Sequence, residues 1–66
     1  MKGTIKSLVM EKNYGFITPE GATKDVFFHA TGLAGVQFSE LRVGDMVAFE
    51  VEESDKGPRA INVTRV

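Results

Sequence analysis

Two short runs of aromatic and β-branched residues, joined by a polar loop, constrain the fold of this chain more than any other feature. The first run covers residues 14–18 and the second covers residues 25–29. Side chains of these types fit the half-buried surface of a β-strand, and successive side chains of a strand point to opposite faces. The core-facing side chains are then expected to be Ile17, Val26 and Phe28. The opposite face carries four rings, those of Tyr14, Phe16, Phe27 and His29.

Three further stretches on either side of this pair also have strand-like patterns. They are residues 2–10, 46–52 and 60–66. In the fourth strand, alternation predicts a common face for Val47, Phe49 and Val51. In the fifth strand, it predicts a common face for Ile61 and Val63.

The connections between these strands carry residues that are typical of turns. Asn13 tolerates positive φ in the turn before the second strand, and Pro19 ends that strand because it has no N–H to donate. Residues 20–24 form a loop of hairpin length. We expect a short 3₁₀ turn at residues 30–32, then an irregular connection, and a tight turn at residues 43–45.

Five short strands at this spacing indicate an all-β barrel or sandwich. Closure into a barrel removes exposed sheet edges, which a chain of 66 residues has little other means of protecting. The predicted architecture is a single domain over residues 1–66. Its fold would be a five-stranded antiparallel Greek-key barrel of the oligonucleotide-binding type, the OB-fold.

Composition argues against several classes of protein. The chain has no Cys and one His, so disulfides are excluded, a protein-only zinc site is not expected, and no cofactor is predicted. No apolar run approaches the roughly 20 residues of a membrane-spanning helix, and polar residues interrupt any signal-peptide pattern at the N-terminus. The expectation is a cytoplasmic, monomeric protein.

A solvent-facing cluster of rings on so small a protein is typical of a binding surface. Every nucleobase has a π-face, and each base stacked on an aromatic side chain contributes about 1–3 kcal/mol. Because the bases of a duplex already stack on one another, such a surface favours unpaired strands. Lys6 and Lys12 would lie near the phosphates if they flank the rings. The pattern therefore predicts binding of single-stranded nucleic acid.

Several of these residues also have purely structural interpretations. Cross-strand aromatic pairs stabilise a sheet by about 0.2–1 kcal/mol each without binding anything. Phe38, in the irregular segment, fits a lid over the core as well as it fits a contact. His29 is interpreted either as a hydrogen-bonded surface imidazole or as a stacking ring. Asp25 either caps its loop or accepts a hydrogen bond from a base amino group.

Two motifs, in order, resemble the ribonucleoprotein motifs of the cold-shock domain family. Residues 12–17 (KNYGFI) resemble the first motif, and residues 26–29 (VFFH) resemble the second. The similarity spans essentially the whole chain, up to residues 56–63 (KGPRAINV). The resemblance implies the same five-stranded barrel and the binding of single-stranded RNA and DNA. It also implies a role as an RNA chaperone or a cold-shock-type regulator.

The resemblance further implies a set of nucleic-acid contacts, transferred position by position. They are Lys6, Lys12, Tyr14, Phe16, Asp25, Phe27, His29, Phe38 and Lys56. The chain departs from the family at Ser7 and Leu8, where members usually carry Trp-Phe, and at Ala30, where they often carry Phe. We expect weaker binding and a shorter footprint, because each lost stack removes about 1–3 kcal/mol.

Catalysis and protein docking are the other functions to be considered. Catalysis is not expected, because it needs a positioned nucleophile and base, and His29 is the only imidazole. The alternative to nucleic-acid binding is a protein-interaction module that uses the same ring-bearing face. Residues 34–66 carry six acidic side chains against four basic ones, which would suit a basic partner.

Overall fold

A computed structural model describes all residues from 1 to 66 and contains five β-strands and three short 3₁₀ helices. The strands are β1 (Lys2–Val9), β2 (Tyr14–Pro19), β3 (Val26–His29), β4 (Met46–Ser54) and β5 (Gly57–Arg65). The 3₁₀ helices are η1 (Met10–Lys12), η2 (Ala30–Gly32) and η3 (Phe38–Glu40). None of these helices has the length or apolar character needed to cross a membrane.

The strands close into a barrel in the order β1-β2-β3-β5-β4, and β4 pairs in turn with β1. Four of the five pairings are antiparallel. The remaining one, between β3 and β5, is parallel and short, with Phe27 opposite Arg59 and Phe28 opposite Ala60. The predicted all-β, five-stranded barrel is therefore confirmed, with one parallel pair in its wall.

Nine buried apolar side chains fill the inside of the barrel. They are Ile5, Ile17, Phe28, Phe38, Leu41, Val47, Phe49, Ala60 and Val63. Ile17 and Phe28 are 0% exposed, as predicted, while Val26 is half-buried and packs against this core. Full burial of a Val, Leu, Ile or Phe side chain contributes about 1.5–3 kcal/mol to the free energy of unfolding, so this cluster is the main source of stability.

Gly15 allows β1, β2 and β3 to pack closely in one part of the wall. It lies opposite Leu8 on β1 and opposite Phe28 on β3. A Cβ atom at this position would lie 2.5 Å from the carbonyl oxygen of Ser7 and 2.9 Å from the Phe28 ring. Because the closer of these contacts is with backbone, a side chain here would require β1 to move.

The connections follow the sequence-based expectations in most places. Asn13 has a φ of 58°, and η2 forms at residues 30–32. Strand β1 ends one residue earlier than predicted because Met10 begins η1. The irregular segment contains η3, which was not predicted. The N–H of Gln37 donates to Glu40 Oε1 at 2.9 Å and holds this turn.

The predicted common face of Val47, Phe49 and Val51 is only partly correct. Val47 and Phe49 are buried, but Val51 is 39% exposed. Every residue from Glu50 to Ser54 is exposed, which shows that this end of the hairpin protrudes beyond the core. The hairpin is also longer than predicted, since β4 continues to Ser54 and β5 already begins at Gly57.

Strand β5 departs from simple alternation. Its buried residues are Ala60 and Val63, whereas Ile61 is only half-buried, so the predicted pairing of Ile61 with Val63 is corrected. Between the pairs Ala48–Thr64 and Glu50–Ile61, β4 has one intervening residue and β5 has two. One of the two on β5 is Asn62, which has a φ of 52°. This β-bulge breaks the period of two and directs Ile61 away from the core.

Replacement of Phe28 by Ala is expected to destabilise the barrel severely. Loss of a fully buried Phe side chain costs about 3–5 kcal/mol, which is most of the stability of a domain this small. Urea unfolding followed by circular dichroism measures the change. Val51→Ala is the matched control and should change the free energy of unfolding by less than about 1 kcal/mol. A Phe28→Ala variant that unfolds like the wild type would show that this ring is not part of the core.

Candidate nucleic-acid interface

Aromatic side chains of β2 and β3 form a continuous surface on the outer wall of the barrel. Phe16 lies opposite Phe27, and Tyr14 lies opposite His29. The ring centroids of Tyr14 and Phe27 are 5.4 Å apart, those of Phe16 and Phe27 6.0 Å, and those of Tyr14 and Phe16 6.1 Å. We call these four residues the ring face.

The ring face lies outside the barrel because its two strands alternate. Ile17 follows Phe16 in sequence, and Phe28 lies between Phe27 and His29. Both Ile17 and Phe28 are 0% exposed. The predicted division into an inner and an outer set is therefore confirmed. The rings are half-buried rather than bare in water, because they pack against one another in tilted and edge-to-face contacts.

Ser7 borders the ring face on the side of β1, where it lies opposite Phe16. Since Ser7 carries no ring, the aromatic surface ends at β2. Leu8 and Ala30, the other two departures from the family pattern, pack against the core instead. The absence of a ring at Ser7 therefore shortens the ring face on the side of β1.

A polar cluster of Lys6, Thr18 and Asp25 lies at one end of the ring face. The hydroxyl of Thr18 donates to Asp25 Oδ1 at 2.7 Å, and Lys6 Nζ lies 3.1 Å from Oδ2. The hydrogen bond from Thr18 and then the contact with Lys6 lower the pKa of the Asp25 carboxyl. Asp25 is thus anionic at neutral pH, and both of its oxygens already have partners.

An open groove of about 720 Å³ lies at the other end, between the ring face and the tip of the β4–β5 hairpin. Its lining residues are Tyr14, Phe27, His29, Thr31, Ser54, Asp55, Lys56, Gly57, Pro58 and Arg59. The hairpin turns back at Gly57, whose φ of 112° favours glycine. This turn brings Lys56, which is distant in sequence, next to the rings.

His29 is held in a defined orientation at the end of β3. The backbone N–H of Thr31 donates to His29 Nδ1 at 3.2 Å, and the Thr31 hydroxyl lies at the same distance from Nδ1. Because Nδ1 accepts a hydrogen bond, the matching neutral tautomer carries its proton on Nε2. His29 is therefore a hydrogen-bonded imidazole whose ring also lines the groove.

The two remaining predicted contacts, Lys12 and Phe38, lie in different environments. Lys12 ends η1, is exposed, and takes part in no ion pair. Phe38 is only 8% exposed, and its ring centroid is 6.1 Å from that of Phe28. The structure thus favours the interpretation of Phe38 as a lid over the core, and Phe38 is not part of the ring face.

Thr31 and Arg59 line the groove but were not identified from the sequence. Arg59 reaches this surface because it lies opposite Phe27 in the parallel pairing of β3 with β5. Such a pairing joins distant segments, so no local pattern indicates it. The turn residues around Lys56 predict a hairpin, but they do not predict which surface its tip faces.

Replacement of Thr18 by Val should raise the pKa of Asp25 toward its ordinary value, because it removes the main cause of the lowering. Lys6→Gln should also raise the pKa of Asp25, because Lys6 lowers it by a hydrogen bond and by its charge. NMR titration of the Asp25 carboxyl carbon measures both changes. An Asp25 pKa that is the same in Thr18→Val and in the wild type would contradict the role of this hydrogen bond.

The lowered pKa also predicts how stability changes in acid. The folded-state pKa of Asp25 lies below the unfolded value, so its contribution to stability is present at neutral pH. That contribution is lost as the pH falls through the folded-state pKa. Thr18→Val should therefore lose less stability than the wild type between neutral pH and acid, as measured by thermal unfolding at several pH values.

Comparison with known proteins places this chain in one family. The family described as 'Cold-shock' DNA-binding domain matches residues 1–66. The chain is 42% identical over 66 residues to "Cold shock-like protein CspC" of Escherichia coli (strain K12), covering 100% of the chain and 96% of that protein. It is 45% identical over 64 residues to "Major cold shock protein" of Micrococcus luteus, covering 97% of the chain and 96% of that protein. The chain therefore belongs to the cold-shock DNA-binding domain family.

Proposed function

We propose that this protein binds single-stranded RNA and DNA by stacking unpaired bases on the ring face. Nucleic-acid binding in general follows from membership of the family, whose members are non-enzymatic. The stacking mode and the preference for unpaired strands are the proposal. One observation carries it: three rings, with centroids 5.4 to 6.1 Å apart, form a continuous surface outside the barrel.

The geometry of the ring face suits unpaired bases. The three rings pack on one another in tilted and edge-to-face contacts, and each of the three residues remains partly exposed to a ligand. A base that stacks there gains about 1–3 kcal/mol. A base in a duplex would first have to leave its own stack, so the ring face discriminates against paired strands.

We expect the lysines to contact phosphates without dominating the affinity. Lys6 lies beside one end of the ring face, and Lys56 lies in the groove at the other end. Lys12 is exposed at the end of η1, and one residue, Asn13, separates it from β2. With about three phosphate contacts, the salt slope for a single strand would be about −2. Since the net charge of the chain is −1, most of the affinity has to come from the rings.

This mode of binding supports a role as an RNA chaperone or a cold-shock-type regulator. A protein that binds unpaired strands, but not duplexes, shifts the equilibrium of an RNA hairpin toward its open form by mass action. This role needs affinity for many sequences, and aromatic stacking is tolerant of sequence. The cytoplasmic location and the monomeric state expected from the sequence stay predictions.

Replacement of Phe27 by Ala should weaken the binding of oligothymidine about five- to 150-fold, because one stacking ring contributes about 1–3 kcal/mol. Phe16→Ala should have a similar effect. Calorimetric titration measures the affinity, and circular dichroism checks that each variant is folded. Val43→Ala, at an exposed apolar position outside the ring face and the groove, is the control and should leave the affinity unchanged.

A titration followed by NMR distinguishes nucleic-acid binding from the docking of a protein on the ring face. Chemical shifts of the Phe16 and Phe27 rings should change on addition of oligothymidine and oligouridine, but not on addition of duplex DNA. If the folded protein shows no such shifts with either single strand, the proposed function is wrong. The protein-interaction alternative would then remain.

Replacement of Ser7 by Trp should tighten the binding of oligothymidine about tenfold, because it adds one ring beside Phe16. Quenching of the introduced Trp fluorescence measures the affinity directly. Leu8→Phe is the comparison, since Leu8 packs against the core rather than beside Phe16. An equal gain in both variants would contradict the conclusion that the surface is incomplete at Ser7.

A further inference from the structure

A second cavity lies beside the groove, where β3 and β5 separate. The two strands pair only at Phe27 with Arg59 and at Phe28 with Ala60. The chain then enters η2, where Gly32 packs against the backbone of Ala60, and a bridge follows between Leu33 and Val63. An open cavity of about 140 Å³ lies beside these contacts, and we call it the η2 pocket.

The η2 pocket continues from the groove and has a polar rim. His29, Thr31 and Arg59 line both cavities, so a strand on the ring face that passes His29 meets the η2 pocket next. The other residues that line it are Gly32, Leu33, Ala60, Ile61 and Asn62. Apolar side chains and polar groups therefore face the same small volume, as is usual in sites for small ring-shaped ligands.

The volume of the η2 pocket corresponds to one aromatic ring. A protein cavity of about 150 Å³ is known to hold a single benzene molecule. At about 140 Å³, the η2 pocket matches the six-membered ring of a pyrimidine better than the fused rings of a purine. The bases of a single strand can turn out of the stack and enter such a pocket.

We propose that the η2 pocket takes one pyrimidine base of the bound strand and that Arg59 makes this position selective for cytosine. The inference rests on the proposed function, because the strand has to lie on the ring face first. Arg59 presents several N–H groups in a fixed fork, which matches two adjacent acceptors. Cytosine offers adjacent acceptors at O2 and N3, whereas thymine and uracil carry a proton on N3 that opposes an arginine.

Arg59 is available for this contact in the free protein. Its guanidinium lies 3.6 Å from Glu52 Oε2, and the side chains are 48% and 47% exposed. Exposed pairs of this kind contribute only about 0–1 kcal/mol, so a base can displace Glu52 at small cost. Asn62 is similarly accessible, since its Nδ2 donates only a long hydrogen bond of 3.4 Å to Glu50.

The test uses an oligothymidine of about seven nucleotides, a length within the range bound by one barrel of this type. A set of single substitutions places one cytosine at each position in turn, and calorimetry measures every affinity. We expect cytosine at one position to tighten binding about fivefold. At that position, the side-chain signals of Arg59 and Asn62 should shift more with cytosine than with thymine.

Two variants of Arg59 and one control variant test whether Arg59 causes the preference for cytosine. Arg59→Lys keeps the charge but loses the fork, so the affinities of this variant for oligothymidine with and without the cytosine should become equal. Arg59→Ala should lose the preference as well, with circular dichroism checking its fold. Arg65→Ala removes the same charge from the far end of β5 and should keep the preference.

The possible failures are distinguishable. If oligothymidine binds and no position favours cytosine, the proposal for the η2 pocket is wrong, and the proposed function stands. If a preference exists but survives in both Arg59 variants, the assignment to Arg59 is wrong. If no single strand binds at all, both the proposed function and this inference are overturned.

Discussion

The burial of Phe28 governs most of the remaining architecture. Its ring is 0% exposed and lies opposite Gly15 on one side and Ala60 on the other, the two neighbours with the least side-chain volume. That arrangement gives the ring room inside the wall of the barrel. Because side chains of a strand alternate, placing Phe28 inside places the ring face outside. The candidate binding surface is thus a direct consequence of how the core packs.

Departures from regular β-structure position the polar groups around the ring face. The register between β1 and β2 shifts at Lys6, which lies beside Asp25. A second bulge, at Asn62, interrupts the alternation of side chains along β5, and Asn62 lines the η2 pocket. Bulges redirect side chains that a regular strand would hold in line. The regular parts of the barrel therefore supply the rings, and the irregular parts supply the groups that surround them.

Residue type and alternation were sufficient to predict whether a side chain points into or out of the barrel wherever a strand is regular and one face is buried. They identified the inner position of Ile17 and the outer position of the ring face without any structure. They were insufficient at Val51, where the strand continues beyond the core, and at Ile61, where a bulge changes the period. The place of Phe38 was open between two interpretations, because an irregular segment has no period that could indicate which way a side chain points.

The order of residues alone was enough to establish five strands, a barrel, the ring-bearing face and the resemblance to cold-shock domains. Each of these depends on local residue type, on period, or on motifs that are contiguous in the chain. The groove and the η2 pocket required the folded chain. Both are lined by Arg59, which reaches the rings only because β3 pairs with β5. Contacts between segments so distant in sequence arise from closure of the barrel, which no local pattern encodes.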